Sequence, residues 1–295
     1  MNSSAKPVIS IVIPTYNHAH YLGRCLQSVL DQTYENWEAI VIDNHSIDKT
    51  DEVVRNFADP RITLLKIHND GVIAASRNMG IRAAKGEWIA FLDSDDWWKP
   101  SKLQVCIDHS NNKTDFIYHD LKIIKEIPTR FQLGCIKSWQ VKKPVLIDLL
   151  VNGNAIATSS VVVRKKLLDQ IGGMNESKNM VAAEDYNSWL RIAQITDNFR
   201  YIPKVLGCYL LQRGGMSRKD MSVSMQYATD SFTHLLNKQQ KNKLDAAIKY
   251  SKGRFAFLTK DYDKSKNNLM FSVQYGSFLA QLKSLWMLIV IWSYK

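Results

Sequence analysis

The feature that most constrains the fold is an alternation of short apolar runs with helix-patterned stretches through the N-terminal part of the chain. Residues 8–13 form a continuous apolar run, and residues 21–30 have helical spacing. A second run at 37–42 leads through a polar turn into a helix at 49–57, and a third at 62–67 precedes a helix over 73–84. The fourth run, Glu87-Trp88-Ile89-Ala90-Phe91-Leu92, ends on Asp93. Runs with no polar alternation have no face to offer water, so they predict a mostly parallel sheet covered on both sides by helices through right-handed crossovers. The expected class is α/β, with a Rossmann-like, mostly parallel sheet. Ligands meet such a sheet at the carboxyl edge of its strands, which brings the loops after strands one, two and four together.

Beyond this region the spacing predicts a fifth strand at 116–118, a sixth at 159–163, and a helix at 185–195 with Trp189, Leu190 and Ala193 on its apolar face. Residues 199–211 read as one or two strands. After Asp220 the pattern turns helical and basic, which places a boundary at 219/220 and a helical C-terminal extension over 220–295.

The net charge is +11, with Lys and Arg gathered in the second half, a field that attracts anionic partners. No zinc-finger spacing or RNA-binding aromatic motif accompanies it, which argues against nucleic acid and for a membrane surface. The uncharged run 284–292 is shorter than the roughly 20 apolar residues needed to cross a bilayer. Flanked by Lys283 and Lys295 and carrying Trp286 and Trp292, it fits either an interfacial helix or a core helix. Cys25, Cys106, Cys135 and Cys208 have no paired spacing, and the N-terminus lacks a signal-peptide layout. Both suit a cytoplasmic protein, peripheral on the inner face of the cell membrane.

Each loop at the predicted edge has a chemical and a plain structural reading. In Asp93-Ser94-Asp95, two carboxylates one residue apart repel each other unless a cation or solvent intervenes. Hard oxygen ligands suit Mg²⁺ or Mn²⁺ and therefore a diphosphate. Asp96 adds a third carboxylate and Trp97-Trp98 an apolar wall, while the same stretch also fits an acidic turn before a helix. Pro14-Thr15-Tyr16-Asn17 offers a hydroxyl and an aromatic ring to a nucleoside, or makes an ordinary turn. Asp43-Asn44 offers groups that accept from a pyrimidine imide, beside the capping residues Ser46 and Asp48. Arg77 lies near a helix N-terminus that favours anions, within salt-bridge reach of the aspartates. Glu184-Asp185 opens a downstream helix as a cap or, folded over the sheet edge, as a base for a substrate hydroxyl. Arg213, in the glycine-rich stretch 212–217, could close on a phosphate or lie free in solvent. The seven histidines show no metal-ligand spacing.

Taken in order, these segments resemble glycosyltransferase family 2, inverting nucleotide-sugar transferases of GT-A fold. The resemblance runs over roughly residues 8–217. It is carried by Ile11-Val12-Ile13-Pro14-Thr15-Tyr16-Asn17, Val41-Ile42-Asp43-Asn44, Ser76-Arg77-Asn78-Met79-Gly80, the Gly86 to Asp96 stretch, Gly172-Gly173-Met174-Asn175-Glu176 and Glu184-Asp185. It implies that Thr15, Asp43 and Asn44 hold the nucleoside, with Pro14 and Tyr16 beside them, and that Arg77 serves the base or diphosphate. It further implies Asp93 and Ser94 on the donor, Asp95 on the divalent metal, and Asp185 as the base that activates the acceptor. The implied reaction is metal-assisted, single-displacement transfer from a nucleotide-diphosphate sugar, UDP-sugar favoured, to a glycan or lipid-linked glycan. The donor half would span about 8–110 and the acceptor half about 111–219.

Two positions depart from the family pattern. Asn44 stands where many members carry a second aspartate. Leu210 and Gln212 stand where the family often shows an arginine after the tyrosine and then a histidine. A Gln-x-x-Arg-Trp motif is lacking, which argues against a processive synthase. The alternatives are a sugar nucleotidyltransferase, which needs a basic glycine-rich phosphate loop after strand one, or a basic adaptor for membrane or nucleic acid.

Overall fold

The computed structural model describes residues 7–126, 134–212 and 220–293. Four parallel strands form its first half: β1 (Ile9–Thr15), β2 (Trp37–Asp43), β3 (Ile62–Lys66) and β4 (Trp88–Phe91), in the order β3-β2-β1-β4. Their connections are α1 (Ala19–Leu30), α2 (Thr50–Phe57) and α3 (Ile73–Ala83), matching the sequence pattern.

Strand alternation divides the core in two. Ile9, Ile11 and Ile13 of β1 pack under α1 and α2 with Leu22, Leu26 and Val54. Val12 points the other way, joining Ile42, Phe91 and Ile81 of α3. α3 lies close on that face because residue 80 is glycine. A Cβ there would sit 2.6 Å from Val12 Cγ1 and 2.8 Å from Ile42 Cδ1.

Past β4 the chain leaves the simple alternation. The two tryptophans read as an apolar wall form a strand, β5 (Trp97–Trp98), before α4 (Lys102–Asp108). The fifth predicted strand runs much further than expected, as β6 (Phe116–Lys125), with β7 (Cys135–Ile136) on its edge. α5 (Val145–Asn152) was not legible, since its eight residues are almost uniformly apolar and show no helical stripe. The expected strand at 159–163 starts later. Thr158–Ser160 is a 3-10 turn, β8 (Val162–Arg164) comes after it, and α6 (Lys165–Gln170) is next. α7 (Glu184–Ala193) and the single long strand β9 (Phe199–Leu211) complete this part.

Among the described residues the sheet continues from β4 as β8-β6-β9-β5. β8 is antiparallel to both β4 and β6, while β9 runs parallel to β6. The sheet is thus mostly parallel with antiparallel insertions. It also curls, because β5 comes within a few residues of β4 in the chain and yet closes the far edge on β9, with Trp98 opposite Gly207. The Trp98 indole donates 2.8 Å to Ser159 O, tying that edge back to the turn before β8.

After residue 220 the chain is helical: α8 (Ser222–Thr229), α9 (Lys238–Leu258), α10 (Tyr262–Tyr275) and α11 (Phe278–Ser293). α9 opens with a reciprocal capping box between Asn237 and Gln240 and packs on α5.

Candidate active site

The parallel register sets one end of the site. Thr15 lies opposite Asp43, and Asn44 N donates 3.0 Å to Thr15 O, so the tips of β1 and β2 are one unit. Pro14 is buried inside β1, Tyr16 stands out at 54% exposure, and the buried Thr15 Oγ1 has no hydrogen-bond partner among the described residues. Asp43 is fully buried and already committed. It accepts from Ser46 N, from the Ser46 hydroxyl and from Lys66 Nζ at 2.6 Å. Asn44 Oδ1 accepts from Asn69 N at 2.9 Å, which fixes the side chain. The exposed rings of His45 and His68 stack 3.7 Å apart beside this pair.

The second group lies where β4 ends. Arg77 of α3 is buried and bridges two carboxylates: Nη2 donates 2.8 Å to Asp93, and Nη1 2.7 Å to Glu184. Burial by itself would lower its guanidinium, but Asp93 and Glu184 more than offset that and hold it well above its usual value. Arg77 thus forms a salt bridge to the aspartate cluster, and it connects the carboxyl edge of the sheet with the start of α7. Asp93 N donates 3.1 Å to Ser159 Oγ. Ser94 is buried with its hydroxyl 2.9 Å from His18 Nδ1.

The remaining two aspartates differ sharply. Asp95 accepts from Gln212 Nε2 at 2.7 Å, and Arg24, stacked 3.6 Å over Trp97, donates 3.1 Å to its carbonyl. Burial, reinforced by Asp93, pushes its carboxyl up to about 6. Asp96 is buried and accepts from Leu210 N at 2.9 Å, so it fastens the turn to β9 rather than facing the edge. Burial and its two acidic neighbours drive its carboxyl well above the ordinary range.

Asp185 is half-buried in the first turn of α7. Its Oδ2 accepts from the Thr158 hydroxyl at 2.7 Å, and Oδ1 from Tyr186 N at 2.5 Å. Burial and Glu184 raise it to about 6, against the opposing pull of Thr158 and Arg77. The turn Thr158–Ser160 thus holds Asp185 through one residue and Asp93 through the next. Neither Thr158 nor Ser159 was singled out from sequence, and neither were Arg24 and His18. A short Thr-Ser-Ser run carries no local signal of the remote carboxylates it serves. Arg213 lies outside the described residues.

Among the described residues no group of three or more His, Cys, Asp or Glu side chains forms a cation cage. Mg²⁺ is commonly held by one or two carboxylates with water and phosphate oxygens filling the shell. Asp95 fits that role, since its crowded, partly desolvated carboxylate is the group a cation would stabilise in ionised form.

The sequence profile of Glycosyl transferase family 2 matches residues 10–170, which contain both strand tips and the aspartate cluster. The chain belongs to glycosyltransferase family 2. It is a glycosyltransferase. It is 34% identical over 186 residues to the UDP-Glc:alpha-D-GlcNAc-diphosphoundecaprenol beta-1,3-glucosyltransferase WfgD of Escherichia coli, covering 63% of this chain and 69% of that one. A second Escherichia coli enzyme with the same described activity, WfaP, is 31% identical over 186 residues, covering 63% and 70%. The fold is similar to S. aureus TarS in complex with UDP-GlcNAc, with a TM-score of 0.63 at 18% identity over 96% of this chain and 90% of that one. It is also similar to the mannosyltransferase PcManGT of Pyrobaculum calidifontis, solved with GDP-Man and Mn²⁺. There the TM-score is 0.60 at 16% identity, covering 95% and 79%. The GT-A architecture expected from the sequence is thus the one observed.

Proposed function

We propose that this glycosyltransferase moves a sugar from a nucleotide-diphosphate donor, most simply a UDP-sugar, to a hydroxyl of a lipid-linked glycan with inversion at the anomeric carbon. The observation that carries the reading is the continuous network Asp93–Arg77–Glu184, which ties the end of β4 to the helix turn bearing Asp185. WfgD and WfaP, whose names specify a GlcNAc-diphosphoundecaprenol acceptor, support the acceptor class.

The donor's nucleoside sits at the tips of β1 and β2. Thr15 marks the tip of β1 beside the nucleoside, and the Asn44 amide donates to a pyrimidine carbonyl while Asp43 holds the turn rigid. Asp93 and Ser94 line the ribose and sugar. Asp95 would hold a divalent metal, Mn²⁺ or Mg²⁺, which would supply positive charge to stabilise the departing diphosphate. Asp185, ionised above about pH 6, takes the acceptor proton as the new C–O bond forms on the face opposite the leaving group. The C1–oxygen bond to the diphosphate breaks with its electron pair leaving on the nucleotide, in one displacement. The catalytic unit comprises residues 1–219, and residues 220–295 support it from the cytoplasmic side of a membrane that carries the acceptor.

The test uses Asp185→Asn and Asp95→Ala with UDP-sugars and a diphosphate-lipid acceptor. Asp185→Asn should lose transfer and keep donor binding, and Asp95→Ala should abolish Mn²⁺-dependent transfer. Unimpaired transfer by either variant refutes the role given to that residue, and a product of retained anomeric configuration by NMR refutes the displacement.

A further inference from the structure

The C-terminal helix is a core helix on one side and uncovered on the other, so it satisfies in part both readings that its sequence allows. Ser284, Met287 and Ile291 of α11 are buried against α9 and α10, in a small cluster with Leu269. On the opposite face Phe278, Leu282, Leu285, Ile289 and Trp292 succeed one another three or four residues apart, with Trp286 beside them. That spacing makes one continuous stripe. All are exposed, with Phe278 at 75%, Trp286 at 61% and Trp292 at 79%. Scattered apolar side chains on a surface need no explanation, but a contiguous stripe of this size marks an interaction surface.

The charge of the C-terminal helices selects its occupant. Residues 220–295 carry eleven Lys and Arg against five Asp and Glu. Lys252, Arg254, Lys260, Lys264, Lys266 and Lys283 are exposed, and none is in a salt bridge among the described residues. Lys283 sits on α11 itself, one turn from Trp286. Phe257, three residues before Lys260, meets the Trp286 ring at 5.9 Å between centroids. Two copies joined through such a face would bring like charges together across an apolar contact. An anionic lipid surface would instead neutralise them while taking up the apolar stripe. Among the described residues no helix is long and apolar enough to cross a membrane. α11, with 16 residues, reaches only about 24 Å against a hydrocarbon core of about 30 Å. Tryptophans and lysines bordering an apolar helix face are the composition of a helix lying in the interface plane.

We propose that α11 lies flat in an anionic bilayer surface, with Phe278, Trp286 and Trp292 inserted and the basic side chains of α9 and α10 on the headgroups. This deepens the membrane reading above by naming the contact surface, yet it is tested without donor, acceptor or turnover. The full chain is sedimented with vesicles of phosphatidylglycerol and phosphatidylethanolamine, or of phosphatidylcholine alone. Anionic vesicles should bind it, and binding should weaken with salt, because each basic side chain near such a surface contributes a factor of about five. Trp286→Glu/Trp292→Glu should reduce binding at least about tenfold, with circular dichroism and melting unchanged, since both side chains already face water. Phe278→Ser/Leu282→Ser, at the other end of the stripe, gives a second reading if the first variant folds poorly. Asp185→Asn should bind as the wild type does, which separates this surface from the catalytic assignment. Equal binding by wild type and both stripe variants overturns the proposal. So does indifference to lipid charge, or a wild-type dimer in light scattering that the Trp286→Glu/Trp292→Glu variant converts to monomer.

Discussion

Thr158→Val tests whether the turn before β8 tunes the proposed base. The hydroxyl donates 2.7 Å to Asp185 Oδ2 and favours the ionised carboxylate. Valine keeps the shape and removes the donor. A hydrogen bond to a charged group contributes about 1.5–3 kcal/mol, and one pKa unit corresponds to about 1.4 kcal/mol. Allowing water to replace part of the loss, Asp185 should move from about 6 to about 7. The base works ionised, so the acid limb of kcat/KM should move to higher pH by about one unit. At pH 6 the ionised fraction falls from about one half to about one tenth, a loss of about fivefold in rate. Above about pH 8.5 both enzymes are fully ionised and their rates should converge. The assay is initial-rate transfer from a UDP-sugar across pH 5 to 9, in mixed buffers of constant ionic strength. An unmoved limb refutes the tuning role. An equal loss at every pH shows instead that the turn only holds the fold.

The buried contacts of α3 carry two stability predictions. Arg77→Leu leaves Glu184 charged and buried without a partner, so it should cost about 3–5 kcal/mol in urea unfolding. Arg77→Leu/Glu184→Leu should recover much of that loss, and a double variant no more stable than the single one would sink the argument. Gly80→Ala drives a methyl into Val12 and Ile42 and should cost about 1–3 kcal/mol, read as a lowered Tm with the unfolding slope unchanged. A neutral Gly80→Ala would mean that α3 can lift off the sheet freely.

The strand-tip end of the site was legible because its information is local. Uninterrupted apolar runs specify buried parallel strands, and the loops at their carboxyl ends must emerge at the same edge, so Thr15, Asp43 and Asp93 could be grouped from sequence. The helix beginning at Glu184 was visible in the same way. Within the cluster, only the family resemblance separated Asp93 from Asp95, and Asp96 was left without a role. Asp96 looks like a ligand until β9 arrives and Leu210, 114 residues later, donates to it. Asp43 looks free until Lys66 and Ser46 occupy its oxygens.

Strand partnership beyond β4 was likewise undecided by local pattern, since two tryptophans or three residues at Val162–Arg164 have no period to read. Their pairing depends on which long-range edge is available when the sheet curls. The uses of Thr158 and of the outer face of α11 have the same origin. A hydroxyl becomes a tuning group only when a distant carboxylate lies 2.7 Å away, and an apolar run becomes two-faced only when α9 and α10 cover half of it. The sequence by itself determined which elements form and which edge they share. The tertiary structure decided which polar groups are already satisfied and which remain to meet a substrate or a membrane, because satisfaction depends on partners brought together only by folding.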